Sequence, residues 1–289
     1  MTLIRPLARI IPSVQTSDGG GVTLRRSLGK DQASRLDPFL MLDAFSSEDP
    51  EDYIAGFPPH PHRGFEAVTY MLDGHMRHED SLGHSGELKG GGAQWMIAGR
   101  GIVHSEMPQQ EAGRMRGFQL WINLPARDKM CPASYRDIQA DEIPVIDLAG
   151  GGRAKVIAGA FVHDGRTVDG PARGGAVTRP LYVDVTLPAG ASLTCPLPDG
   201  HAAFLYPYEG RLAVGPEDDT KILENQNAGI LARIGDVAVA AFDGPVRFLL
   251  LAAHPLDEPV VQHGPFVMNT REEIEQAVAD YRAGTLGLP

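Results

Sequence analysis

The 289-residue chain is long enough for one large β domain or two domains of about 150 residues, and for a sizeable core without disulfides. Its formal net charge is −11, from 26 Lys and Arg against 37 Asp and Glu. That balance excludes direct binding to a nucleic-acid backbone, which needs a concentrated basic surface to release counterions, and it disfavours an anionic membrane. Glycine and proline, 34 and 23 residues, exceed the usual combined share of about 12% and are spread along the chain. Many tight turns between short strands, an all-β architecture, is the prediction.

The opening MTLIRPLARIIPSVQ has arginines interrupting its apolar positions and no small-residue cleavage pattern. It reads as a strand, not a signal peptide. In FPPHPHRGFE, His60 and His62 bracket a proline and Glu66 follows four residues later. Side chains alternate with period two in extended chain, so all three are predicted to point the same way. A strand is predicted over Arg63 to Leu72. His75, His78 and His84 then fall in a polar excursion with Glu79 and Asp80 and read as surface residues. The triple glycine at 90–92 lacks a following helix, lysine and hydroxyl, so it is a turn and not a phosphate cradle. Strands follow at Gln94 to Ile97 and Gly117 to Asn123, with Trp95 and Trp121 read as core. Between them GRGIVHSEMP carries His104 and Glu106 two apart, again on one face.

A polar, proline-broken stretch places a boundary near 125–150. Further strands are predicted at Lys155 to Ala158, Leu181 to Leu187, Ala203 to Tyr208 and Val246 to Ala252. The two halves share one plan, a strand running into a glycine turn, an excursion and a glycine-led return strand. The second half offers only His201 where the first has its HxH, and no four-ligand site can be assembled there. His163, His254 and His263 read as turn, strand-end and tail residues. Cys131 and Cys195 stand alone without CxxC spacing, which suggests a reducing, cytoplasmic setting. No apolar window is long enough to span a membrane. At the C-terminus Thr270 and Glu273 form a capping box. Ile274, Ala277, Val278 and Tyr281 make one apolar stripe, and Gly284 ends the helix.

Three imidazoles and one or two carboxylates, from Glu66 and Glu106, can thus converge on one ion. Imidazole with carboxylate suits divalent iron, manganese, nickel, copper, cobalt or zinc, whereas calcium and magnesium prefer oxygen shells. The absence of cysteine removes the usual structural zinc site. Three histidines and a carboxylate on an octahedral ion leave two positions for a substrate oxygen and dioxygen. No nucleophile elbow or triad is visible.

HxH-x3-E followed by a second His-bearing strand resembles the two cupin motifs. The segments HPHRGFEAVTYMLDGHMRHEDSLGHSG, QWMIAGRGIVHSEMP and PVVQHGPFVMNTREEI are similar to the pirin family over nearly the whole chain. The resemblance implies a bicupin: two facing β-barrels (double-stranded β-helices) with a short C-terminal α-helix. Residues 1–135 would form the metal-binding barrel, 136–265 a barrel without ligands, and 266–289 a tail packing its helix back on the barrels. The implied ligands are His60, His62, His104 and Glu106, with Fe(II) as the metal and Mn, Ni, Cu, Co or Zn as substitutes. Glu66 is then a supporting or core-facing residue, and Phe57, Phe65, Met96 and Met107 are pocket candidates from sequence neighbourhood. The implied activity is a quercetinase, a flavonol 2,4-dioxygenase releasing carbon monoxide, with Glu106 taking the proton of the flavonol hydroxyl. The implied alternative is a non-enzymatic, iron-dependent redox switch that regulates a transcription factor or metabolic enzyme by protein–protein contact. A monomer is expected, because two barrels can bury each other's faces.

Overall fold

The computed structural model describes residues 3–288. It is built almost entirely of β-strands, with one α-helix, Arg271–Arg282. No helix among the described residues is long and apolar enough to cross a membrane. Two compact units are interleaved along the chain. One comprises residues 15–29, 39–141 and 256–289, the other 1–14, 30–38 and 142–255. The cut nearest the middle of the chain falls between residues 141 and 142. The opening strand Leu7–Pro12 pairs with Asn227–Leu231, and the tail belongs to the unit that contains the HPH segment.

In that unit, Phe65–Asp73 lies between Ala93–Ile97 and Met115–Asn123 in a seven-stranded sheet. A four-stranded sheet runs in the order Phe57–His62, Ile102–Pro108, His75–Asp80, Ser85–Lys89. Both sheets are open paths of hydrogen-bonded strands, so the pairings do not themselves close the expected barrel. Leu40, Phe65, Ala67, Met96, Ile102 and Trp121 belong to a buried cluster of this unit. The polar excursion expected after residue 73 is a hairpin, His75–Asp80 with Ser85–Lys89. Its charged residues hid a strand with one buried face: Met76 and His78 are buried while Arg77 and Glu79 are exposed.

The strand predicted from Arg63 starts two residues later. Gly64 has φ +90°, and a Cβ there would stand 2.0 Å from the Val267 carbonyl oxygen. Only glycine fits that turn. Around it Arg63 donates from Nη1 to Asp280 at 2.7 Å and from Nε to the Arg100 carbonyl at 2.6 Å. The buried Lys129 ammonium donates to the carbonyls of Gly64 and Val267 and to Asn123 Oδ1. Burial lowers the Lys129 pKa to about 8. The tail helix has the predicted capping box, Glu273 N–H donating to Thr270 Oγ1 and Thr270 N–H to Glu273 Oε2. Its stripe is narrower than predicted: Ile274 and Ala277 are buried against Phe266 and Met268, while Tyr281 is exposed.

The other unit is organised on a nine-stranded sheet containing the long strands Ala202–Val214 and Val237–Ala253. Leu181–Leu187 is a strand with the predicted limits. A short hairpin, Ala160–His163 with Arg166–Asp169, stands off this sheet.

Candidate metal centre

Prolines set the first ligand strand. Pro58, Pro59 and Pro61 fix the backbone near an extended conformation and lack an N–H, which confines them to a sheet edge. Phe57–His62 is an edge strand, paired only with Ile102–Pro108. His60 lies opposite His104, and His62 opposite Ile102. An irregularity between His104 and Glu106 then brings Phe57 opposite Glu106, which adds one residue on the proline side. On the other flank Asp80 lies opposite His104 and His78 opposite Glu106. Paired residues share a face and alternate residues repeat it, so His60, His62, His104, Glu106 and His78 all project to one side.

The three predicted histidines meet. Their ring centroids are 4.4 to 4.8 Å apart, and one nitrogen from each lies within 4.8 Å of the others. This is the one cluster among the described residues with that property. His60 Nδ1 donates to the Pro58 carbonyl at 2.8 Å, and Nε2 takes no part in that bond. Both ring nitrogens of His62 and Nε2 of His104 are buried without a hydrogen-bond partner. Burial, reinforced by the neighbouring imidazoles, holds His62 and His104 well below the usual imidazole range. Neutral rings with orphaned lone pairs in a buried site are costly unless they hold something, and they are what a divalent transition metal binds. The residues fit a metal.

Glu106 is buried on the same face, yet its oxygens lie outside that cluster of ligand atoms. Oε1 accepts from Thr69 Oγ1 at 2.8 Å and Oε2 from Gln119 Nε2 at 3.0 Å. Gln119 Oε1 in turn accepts from Trp121 Nε1 at 3.3 Å. Glu66 departs from the reading that put it beside the histidines. The turn at Arg63 and Gly64 interrupts the alternation, and Thr69, which reaches Glu106, is on the opposite face of its strand. Glu66 Oε2 accepts from Trp95 Nε1 at 2.5 Å within the fold.

A cavity of about 520 Å³ opens beside the histidines, lined among others by Arg26, Phe57, His60, His62, Gln119 and Trp121. Phe57 is part of that wall. Phe65 is fully buried behind the site, its ring 5.1 Å from His62 and 4.2 Å from Trp121. Met96 is buried core in the same cluster. Met107 does not reach the cavity, because it alternates with His104 and Glu106 on their strand and so takes the other face. Trp121, read as core in preference to a substrate platform, is both buried and part of the cavity wall, whereas Trp95 is buried in the core. Arg26 grips buried Asp43 through Nε and Nη2 at 2.8 and 2.6 Å, and these bonds hold its guanidinium firmly charged.

His78 overturns its surface assignment. Only 2% of it is exposed, and its Nδ1 lies 3.2 Å from His104 Nδ1. Burial lowers its pKa, against the pull of Glu106 and Asp80, so both rings are neutral and one donates to the other. A signal existed in the His78-x-Asp80 spacing, which alternates as His104-x-Glu106 does. Gln119 and Trp121 carried the same period-two signal in GFQLWIN.

The pirin family model matches residues 21–122, and the model for the pirin C-terminal cupin domain matches residues 182–287. A Pseudomonas aeruginosa protein named "Putative quercetin 2,3-dioxygenase" is 52% identical across all of both chains. The chain belongs to the pirin family. Human pirin is 41% identical over 93% of this chain and 90% of its own. The crystal structure of a quercetin 2,3-dioxygenase from Acinetobacter baumannii superposes with a TM-score of 0.89 and 33% identity, covering 98% of this chain and 99% of that one. Members of the pirin family thus share this mostly β, cupin-type fold with the chain.

Proposed function

We propose that this protein is a metal-dependent dioxygenase of the pirin type, cleaving flavonols such as quercetin with release of carbon monoxide. The observation that carries the reading is the convergence of His60 with His62 and His104, the latter two buried with unpaired nitrogens, beside an aromatic-walled cavity. The names of the Pseudomonas and Acinetobacter relatives support the substrate class. His60, His62 and His104 would hold the ion, Fe(II) in the first instance, with Glu106 as fourth ligand. When bound, the metal supplies Lewis acidity that favours the deprotonated form of a flavonol hydroxyl.

The chain's own residues do the rest. Glu106, held by Thr69 and Gln119, would accept the hydroxyl proton. Phe57 and Trp121 receive flat rings along the cavity wall and exclude water. Arg26, bonded to both Asp43 and Asp18, has its charge balanced by these two carboxylates and holds that wall rigid. Phe65 and Met96 stiffen the wall from behind.

Anaerobic reconstitution with Fe(II), followed by quercetin and oxygen, tests the proposal through flavonol absorbance and carbon monoxide together. Metal-dependent turnover that disappears in His104→Ala is the expected result. Tightly bound iron without turnover would refute the dioxygenase and favour a redox switch acting through a protein partner.

A further inference from the structure

The unit comprising residues 1–14, 30–38 and 142–255 has no cluster of metal ligands among its described residues, yet it contains a cavity of about 660 Å³. The floor is apolar: Ala172, Leu181, Leu197 and Ala252 line it and are buried. Leu181 and Ala252 are directly paired across adjacent strands, so they present one continuous face. The wall formed by the 160–169 hairpin is fixed at its base. The Gly170 N–H donates to the Gly159 carbonyl at 2.8 Å. A Cβ on Gly159 would stand 2.5 Å from the Pro180 carbonyl oxygen, and one on Gly170 would stand 2.6 Å from the Ala158 nitrogen.

The polar lining is cationic. Arg173, Arg179 and His201 border the cavity against one carboxylate, Asp169. Neither arginine takes part in an ion pair or side-chain hydrogen bond among the described residues, and burial, with the nearby His254, Arg5 and Arg179, lowers the pKa of His201. The backbone of Arg179 has φ +42°, and its N–H donates to the Gly175 carbonyl. That left-handed conformation is unfavourable for a residue with a Cβ and persists only where the surrounding structure holds it. Beneath the rim, fully buried Arg5 spends its donors on the carbonyls of Pro198, His201, Ala232 and Gly235. Its guanidinium thus fixes the 198–201 turn that carries His201. The chain as a whole bears a charge of −11, so an unpaired cationic rim over an apolar floor is a local departure from the overall field.

We propose that this cavity is a second small-molecule site, which takes an apolar carboxylate: the hydrocarbon or aromatic body on the Leu181 and Ala252 floor, the carboxylate on Arg179 with Arg173. The volume suits a ligand of one or two rings. A guanidinium with free donors matches a carboxylate in two parallel hydrogen bonds. This site is independent of the metal centre and of the reaction proposed there.

The probe is 1-naphthoate, with the neutral 1-naphthalenemethanol as its uncharged counterpart, titrated into the full chain by calorimetry and by amide chemical-shift mapping. Saturable one-to-one binding of naphthoate is expected, with shifts at Gly159, Gly170, Leu181 and Ala252, and binding of the alcohol at least tenfold weaker. Arg179→Gly, which relaxes the left-handed backbone while removing the cation, is expected to weaken naphthoate at least tenfold and to leave the alcohol unchanged. Arg179→Lys keeps the charge and should retain most of the affinity. The proposal is overturned if naphthoate does not saturate, if Arg179→Gly binds it as wild type does, if the alcohol binds equally well, or if the shifts gather around His60 and Trp121 instead.

Discussion

Gly64→Ala separates two effects that act on the turn behind the histidines. At φ +90° a residue with a Cβ loses about 1–2 kcal/mol relative to glycine. The added carbon would also stand 2.0 Å from the Val267 carbonyl oxygen, and such overpacking against backbone costs about 1–3 kcal/mol more. The expected loss is therefore about 2–5 kcal/mol. Gly83→Ala is the matched control, because Gly83 has φ +86° with nothing within 4 Å of an added Cβ, and only the first cost applies. Urea unfolding followed by tryptophan fluorescence reads the right unit, since both tryptophans of the chain, Trp95 and Trp121, lie in it. His62 precedes Gly64 by two residues, so Gly64→Ala should also weaken metal binding at least tenfold while Gly83→Ala should not. Equal destabilisation by the two substitutions, or an unchanged midpoint for Gly64→Ala, would refute the role given to the Val267 contact.

His62→Ala and His104→Ala should each abolish metal retention while preserving the fold, by metal content and circular dichroism; full occupancy in either would reject the ligand assignment. Glu106→Gln should keep part of the metal but slow quercetin turnover strongly, whereas Glu66→Gln, which alters a partner of Trp95, should do less; the reverse order in a turnover assay would move Glu66 to the metal. His78→Ala should reduce metal affinity roughly 10–100-fold, as expected for a residue that orients a ligand, and competition with a chelator measures it. Stability of the metal-free protein should decline with acid. Because burial keeps His62 and His104 below the ordinary imidazole pKa, the unfolded chain binds more protons as pH falls under about 6.5. The stability present above that value is then lost at up to about 1.4 kcal/mol per pH unit for each ring that stays neutral; an unfolding midpoint flat from pH 7 to 5 would contradict it.

The all-β class, the capped tail helix and the meeting of His60, His62 and His104 were legible because each rests on a short-range rule: turn composition, a capping pair, alternation along a strand. What was not legible depended on pairing between distant strands. His78 has charged neighbours and reads as surface until the strand carrying it is laid beside Ile102–Pro108, where it falls opposite Glu106. Glu66 is turned from the histidine face because one glycine turn between it and His62 resets the alternation. Met107 was proposed for the pocket from proximity in sequence, but alternation on its own strand turns it away. Trp121 shows that core and cavity wall are not exclusive, and no local pattern marks a side chain that serves as both.

The interleaving of the two units has a consequence for how the protein is made. His104 emerges from the ribosome roughly 175 residues before Asp280, about 10–35 s at ordinary synthesis rates of about 5–20 residues per second. Throughout that interval the histidine strands exist without the tail that anchors Arg63 through Asp280 and accepts from Lys129 at Val267. The turn behind the histidines is therefore completed only once residues 267–280 have been made, well after the histidine strands themselves.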